Sequence, residues 1–136
     1  YRKVRATGHP RANDAGRVRE HILVAENALG KSLPSRAQVH HVDGNPINNA
    51  NRNLVICEDH AYHMLLHRRT RIVRSGGNPN TERICGGCRQ LLPLSAFSQN
   101  ARELDGFCRE CRSCVVDRVA DYRRRNPDCR KKKAVA

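Results

Sequence analysis

The sequence predicts an α+β chain: a small strand–strand–helix unit, then a cysteine-rich module, then a basic helical tail. Three observations carry this expectation. Two short β-prone runs, Ala37–Val42 and Leu54–Cys57, flank a polar loop and lead into a helical pattern that ends near Arg74. Cysteines then recur in CxxC spacing, and Arg and Lys dominate the last residues.

The elements follow in order. Residues 1–19 alternate basic and apolar side chains and cross a loop holding Gly8, Pro10, Asn13 and Gly16, the pattern of a short strand or hairpin. From Arg19 to Leu29 the apolar residues Ile22, Leu23, Ala25, Ala28 and Leu29 recur at helical spacing, and Gly30 is a natural stop. The strand at Ala37–Val42 is broken by the turn formers Asp43, Gly44, Asn45 and Pro46. Asn48–Asn53 is too polar and turn-prone for regular structure. Leu54–Cys57 is the partner strand. Glu58 and Asp59 then place negative charge where a helix N-terminus favours it, and the helix runs to about Arg74. Ser75–Asn80 has the composition of a linker. These boundaries give a domain at 1–75 with its strand–strand–helix core at about 37–74. A linker at 76–82, a cysteine module at 83–114 and a basic tail at 115–136 follow. The tail looks helical from Val115 and then dissolves into Arg123–Pro127. No internal repeat is visible.

Composition narrows the function. With no Trp and 4% aromatic residues in 136, the chain buries little apolar surface and needs a staple. Seven cysteines supply the material for one. Tyr1–Arg5 has no hydrophobic stretch behind it, so an export signal is not expected and the location expected is cytoplasmic. In that compartment paired cysteines read as zinc ligands rather than disulfides. The longest apolar run, Ile22–Ala25, is far too short to span a bilayer. A net charge of +13 and a pI near 10.2 attract polyanions. No basic amphipathic helix presents Trp, Phe and Leu to a membrane, so the polyanion expected is nucleic acid.

The histidines are the next signal. His40 and His41 end the first strand, and His63 and His67 are four apart, on one face of the following helix. That spacing matches the HExxH motif of zinc proteases, but Met64 stands where the general-base Glu would be, which excludes that chemistry. Phosphodiester hydrolysis suits the set better. It needs an activated water and a cation beside the phosphate, and imidazoles serve as base and as ligands. Neighbouring strand residues point in different directions, so His40 and His41 can divide these roles. His60, three before His63, competes as a ligand on the same face, and Cys57 reads as a buried thiol. Asp43, in an Asp-Gly turn, is expected to shape the turn and not to bind an ion.

In the module, Cys85-Gly86-Gly87-Cys88 and Cys108-Arg109-Glu110-Cys111 form CxxC pairs nineteen residues apart. Four thiolates so arranged suit a closed, structural zinc site, with Phe97 and Leu94 as a miniature core. Cys114 lies three residues beyond Cys111 and can substitute for it. Cys129 is expected to be free. Between Arg118 and Lys133 there are eight basic residues against Asp121 and Asp128: Arg118, Arg123, Arg124, Arg125, Arg130, Lys131, Lys132 and Lys133. Behind a zinc module they are expected to contact phosphates.

The stretch Val39–Asn49, then Asn53-Leu54, then His63–His67, resembles the HNH endonuclease signature. The run from Gly16 to Gly30 resembles the segment preceding it in phage and homing-type members, so the likeness covers roughly residues 8–74. The module resembles small zinc ribbons beside phage nuclease domains. The resemblance implies a ββα-metal fold and one divalent ion, drawn from Mg²⁺, Mn²⁺, Ni²⁺, Co²⁺ and Zn²⁺, besides structural zinc. It implies His41 as general base, His40, His63 and His67 as metal ligands, and Asn53 as the residue that fixes the loop and helps orient the base. The expected activity is metal-dependent DNA cleavage, by a nick or a double-strand break, from a monomer or homodimer. A non-catalytic DNA-binding or packaging protein, and a broad nuclease also acting on RNA, stay open as alternatives.

Overall fold

The computed structural model describes residues 1–127 and forms two compact units, Tyr1–Arg74 and the chain from Ser75 onward. Its described elements are three helices and short antiparallel strand pairs. The α+β expectation is met.

In the first unit, β1 (Lys3–Arg5) pairs with β2 (Arg17–Arg19), with Val4 opposite Val18. Helix α1 follows at once, Glu20–Leu29. It stops where Gly30 turns left-handed at φ 71°, a conformation that costs glycine nothing. Its inner face buries Ile22 and Ala25 against Val18, Leu33, Ala37 and Val39. Each of the Val, Leu and Ile side chains contributes about 1.5–3 kcal/mol on full burial. Two contacts of Glu26 help hold this small core in place. His9 Nε2 lies 2.6 Å from Glu26 Oε2, and the other Glu26 oxygen accepts the Leu33 N–H at 2.8 Å.

Strand β3 (Gln38–His41) pairs antiparallel with β4 (Leu54–Cys57), placing His40 opposite Val55 and His41 opposite Leu54. Helix α2 (His60–Arg74) packs on both strands. Asp59 caps it, its carboxylate accepting the Tyr62 N–H at 2.8 Å. At the far end, the Arg74 guanidinium donates to the Asp43 carbonyl and so ties the helix to the β3–β4 loop. Cys57 is a fully buried thiol whose pKa is raised, first by burial and then by the Asp59 charge, as befits an inert core residue.

In the second unit, β5 (Glu82–Ile84) pairs with β6 (Leu91–Pro93), and β7 (Phe97–Gln99) with β8 (Phe107–Cys111). Helix α3 spans Arg112–Arg125. It starts earlier than Val115 and takes in Cys114, so it runs without a break across the expected edge between module and tail. Phe97, 1% exposed, is the centre of a core with Cys85 and Cys111, and Leu92, Ala96 and Phe107 pack against it. Leu94, expected in this core, instead opens a short 3₁₀ turn while Leu92 fills the place. Arg83 is buried beside this core, ion-paired to Asp105 and donating to the Phe107 carbonyl at 3.1 Å. Those partners are needed, because a buried guanidinium without them would be very costly.

Candidate functional site

Strand alternation decides where the two adjacent histidines go. Successive side chains of β3 leave opposite faces. His40 therefore faces α2, its ring 5.4 Å from that of His63 and 4.5 Å from that of His67, while those two are 4.6 Å apart. His41 faces the other way, its ring edge-on to His21 of α1 at 5.1 Å. One ligand atom from each of His40, His63 and His67 lies within 4.8 Å of the others.

This trio fits a metal ion by its own chemistry. His40 is 2% exposed, and its Nδ1 is buried with no hydrogen-bond partner. Buried polar atoms are nearly always paired, so an orphan nitrogen on a ring packed beside two further imidazoles suits a ligand position. Burial, reinforced by the charges of His67, His63 and His41, holds His40 down from 6.5 to about 4. Burial likewise lowers His63 and His67; Arg71 and Arg74 add to the effect at His67. All three are thus neutral at pH 7, the form that offers a lone pair. Thr70 Oγ1 stands 3.5 Å from His40 Nε2, behind the ligand. Among the described residues no carboxylate joins the trio. His60 does not join it either and is turned to Gln38, 3.4 Å away.

His41 is 5% exposed, with Nε2 3.0 Å from Asn49 Oδ1. Asn49 Nδ2 in turn donates to Glu20 Oε2 at 2.7 Å. His21 beside it is also buried, and burial first, then the charges of His41 and Arg19, lowers its pKa to about 4. It is a neutral ring packed on the candidate base.

Asn53 has a different task. Its side chain accepts the Asp43 N–H at 2.9 Å and donates to Asp43 Oδ1 and to the Asn48 carbonyl, each at 2.8 Å. Its carbonyl accepts the Val42 N–H at 2.9 Å. All of its capacity goes into closing the loop between β3 and β4. The side-chain hydrogen bond at His41 comes from Asn49. Asp43 accepts from Asn45, Asn48 and Asn53, which lowers its pKa and fits the turn role. Neither Asn49 nor Glu20 stands out in the sequence. Asn49 lies in an asparagine-rich stretch where any of five could orient a base, and Glu20 is 29 residues away.

The second cluster gathers Cys85, Cys88, Cys111 and Cys114, whose sulfurs lie within 4.8 Å of one another. Cys108, expected as the third ligand, is not among them. It lies on β8 three residues before Cys111, an odd spacing that sends two strand side chains to opposite faces. Cys111 ends the strand and Cys114 sits in the first turn of α3, where the chain curls back. The second knuckle is thus Cys111-Arg112-Ser113-Cys114. The Cys85 sulfur accepts backbone N–H groups from Gly87 at 3.3 Å and Cys111 at 3.2 Å. Burial pushes this thiol up, but the N–H groups of Cys111, Cys88 and Gly87 outweigh it and bring it to about 6. That environment stabilises a thiolate, as a zinc ligand requires. A Cβ on Gly87 would stand 2.9 Å from the Cys114 sulfur, so only glycine fits. The left-handed turn of this knuckle falls on Arg89, at φ 63°, and not on Gly86 or Gly87.

Of the expected phosphate contacts, Arg118, Arg123, Arg124 and Arg125 lie on α3. Arg118 pairs with Glu110 at 2.9 Å, and Arg124 with Asp121. Arg130, Lys131, Lys132 and Lys133, like Cys129, lie outside the described residues. No helix among the described residues is long and apolar enough to cross a membrane.

Residues 18–62 match the family model described as HNH endonuclease. No curated protein and no solved structure matches the chain. The matched segment holds α1, the β3–β4 hairpin and the start of α2, including His40, His41, Asn49 and Asn53. Part of the first unit is therefore similar to the HNH endonuclease family, and the four-cysteine cluster that follows is consistent with a zinc ribbon.

Proposed function

We propose that the chain is a metal-dependent DNA endonuclease with one hydrolytic centre, built on the β3–β4 hairpin and α2. The observation that carries this reading is the convergence of His40, His63 and His67 on one point while His41, their strand neighbour, stands apart. A metal trio alone suits a structural site; a separate imidazole beside it suits hydrolysis.

His40, His63 and His67 would hold the divalent ion. When bound, the ion supplies positive charge against the scissile phosphate and the departing oxygen. His41 takes the proton from the attacking water. Asn53 keeps the loop between the strands closed, so that His41 and the ligands stay in register. The products carry a 5′ phosphate and a 3′ hydroxyl, as in the family that the sequence resembles. Arg118, Arg123, Arg124 and Arg125, with the basic residues after them, grip the DNA backbone by charge. One site cuts one strand per visit. Cys85, Cys88, Cys111 and Cys114 would hold a structural zinc that does not take part in the chemistry.

The ligand assignment has a direct test on the helix. His63→Ala and His67→Ala should each weaken binding of the catalytic ion by about 10-fold or more and lower cleavage in parallel, whereas His60→Ala should leave both nearly unchanged. Metal titration of the three variants checks this. If His60→Ala is the most damaging of the three, the ligands lie one turn earlier on α2.

A further inference from the structure

We infer that Glu20 and Asn49 are positioning residues that set the tautomer of His41, through a hydrogen-bond chain that can run in one direction only. The inference deepens the proposed function and rests on His41 being its base.

A carboxylate accepts hydrogen bonds and donates none. Glu20 Oε2 lies 2.7 Å from the Asn49 side-chain nitrogen, so that end of the amide must be the NH₂ group. A flipped amide would set its oxygen against the carboxylate, acceptor against acceptor. The choice of amide orientation, often arbitrary, is therefore forced here. The Asn49 oxygen must then face His41, and it stands 3.0 Å from Nε2. An amide oxygen only accepts, so Nε2 carries the hydrogen. In the neutral imidazole that leaves the lone pair on Nδ1. A carboxylate that reaches the imidazole through one intervening residue thus decides which nitrogen of the base can take a proton.

The rest of the surroundings holds the chain in place. Glu20 is the first residue of α1, where the helix N-terminus favours a carboxylate. Its other oxygen lies 3.5 Å from the Arg2 guanidinium, and its backbone N–H donates to the Arg2 carbonyl at 2.9 Å. His21, the next residue of α1, packs its ring edge-on against His41, so helix and hairpin orient the base together. Asn53 is spent on the loop and cannot serve in Asn49's place.

A polarity swap separates this role from simple packing. Glu20→Gln keeps the shape but can present either a donor or an acceptor to Asn49, so the chain loses its direction. Asn49→Asp sets two carboxylates against each other. In the double variant, the new amide at position 20 donates to the new carboxylate at position 49. That carboxylate still accepts from His41 Nε2–H, and the direction returns. Single-turnover nicking of plasmid DNA should fall by about 10–100-fold in each single variant, the usual cost of losing an orienting partner, and recover most of this in the double. DNA affinity and metal content should not change. Imidazole ¹⁵N shifts of His41 in the full natural chain should show hydrogen on Nε2, and a mixture in Glu20→Gln. A double variant no better than the poorer single one would overturn the inference, as would a His41 protonated on Nδ1 in the natural chain. The nitrogen shifts need no cleavage, so they read the chain even if the natural protein proves unable to cut DNA, a result that would strike the nuclease reading alone.

Discussion

His41→Ala is expected to slow DNA cleavage by about 10²–10⁴-fold, the usual contribution of a positioned acid or base, with DNA affinity and metal content nearly unchanged. The separation follows from β3. His40 and His41 are neighbours in sequence but leave opposite faces of the strand, one towards His63 and His67 and the other towards His21 and Asn49. Removing the second therefore leaves all three imidazoles of the metal cluster in place. Affinity for DNA comes mostly from phosphate contacts by Arg and Lys, which the substitution does not touch. Single-turnover nicking, filter binding and metal analysis of the same preparation check the three parts. A rate like that of the natural chain would move the base to another residue, and loss of metal would mean that His41 belongs to the ligand set.

Replacing Cys85 and Cys88 together by Ser should release one zinc and unfold the second unit. The binding free energy of a structural zinc is about 10–16 kcal/mol in small zinc-binding peptides, and it is largely folding free energy. The apolar alternative is slight. Around Phe97 the buried members of this core are Cys85 and Cys111, themselves members of the cluster. Cys114→Ser should have the same effect as the double change, since its sulfur lies 3.8 Å from that of Cys85. Cys108→Ser should keep its zinc. Zinc analysis and amide hydrogen exchange across β5–β8 measure this, and the histidine cluster should retain its metal throughout. Zinc lost from Cys108→Ser but kept by Cys114→Ser would restore the ligand set read from sequence. A disulfide within this cluster in freshly purified protein would remove the zinc site altogether.

The difference between those two ligand sets shows where sequence reasoning holds. Strand β4 and helix α2 are legible because their signals are local. Leu54–Cys57 is a β-prone run bounded by polar residues, and the His63–His67 pair shares a face only if the segment is helical. The histidine trio follows from those two assignments plus the strand that carries His40. The zinc ligands need a finer fact, the residue at which β8 becomes α3. Two overlapping CxxC patterns, at 108–111 and 111–114, differ only in which side of that junction they occupy. Helix starts are blurred in sequence, and Cys111 as the cap residue carries no side-chain hydrogen bond to announce one. The support of the base is less legible still. Glu20 and Asn49 meet because α1 packs on the hairpin, and no local pattern encodes that contact. Asn53 is legible in the sequence as the residue that fixes the loop, but its partners there, Asp43 and Asn48, are not.

The measurement that bears most directly on the proposed function is nicking of supercoiled plasmid by the full chain across divalent ions, after weak chelation that strips the histidine cluster and spares the zinc. The three proposed ligands are imidazoles and, among the described residues, no carboxylate joins them, a donor set that suits Mn²⁺, Co²⁺ and Ni²⁺ better than Mg²⁺, which prefers oxygen. Zn²⁺ should bind tightest, and a filled tetrahedral site would leave little room for phosphate. The stripped protein should bind plasmid without cutting it, and Mn²⁺, Co²⁺ or Ni²⁺ should restore nicking at lower concentration than Mg²⁺. Structured RNA in parallel tubes should remain intact. Cutting that persists undiminished in the chelator, or firm DNA binding with no cutting under any of these ions, would contradict a metal-dependent endonuclease and leave a DNA-binding protein on an HNH scaffold.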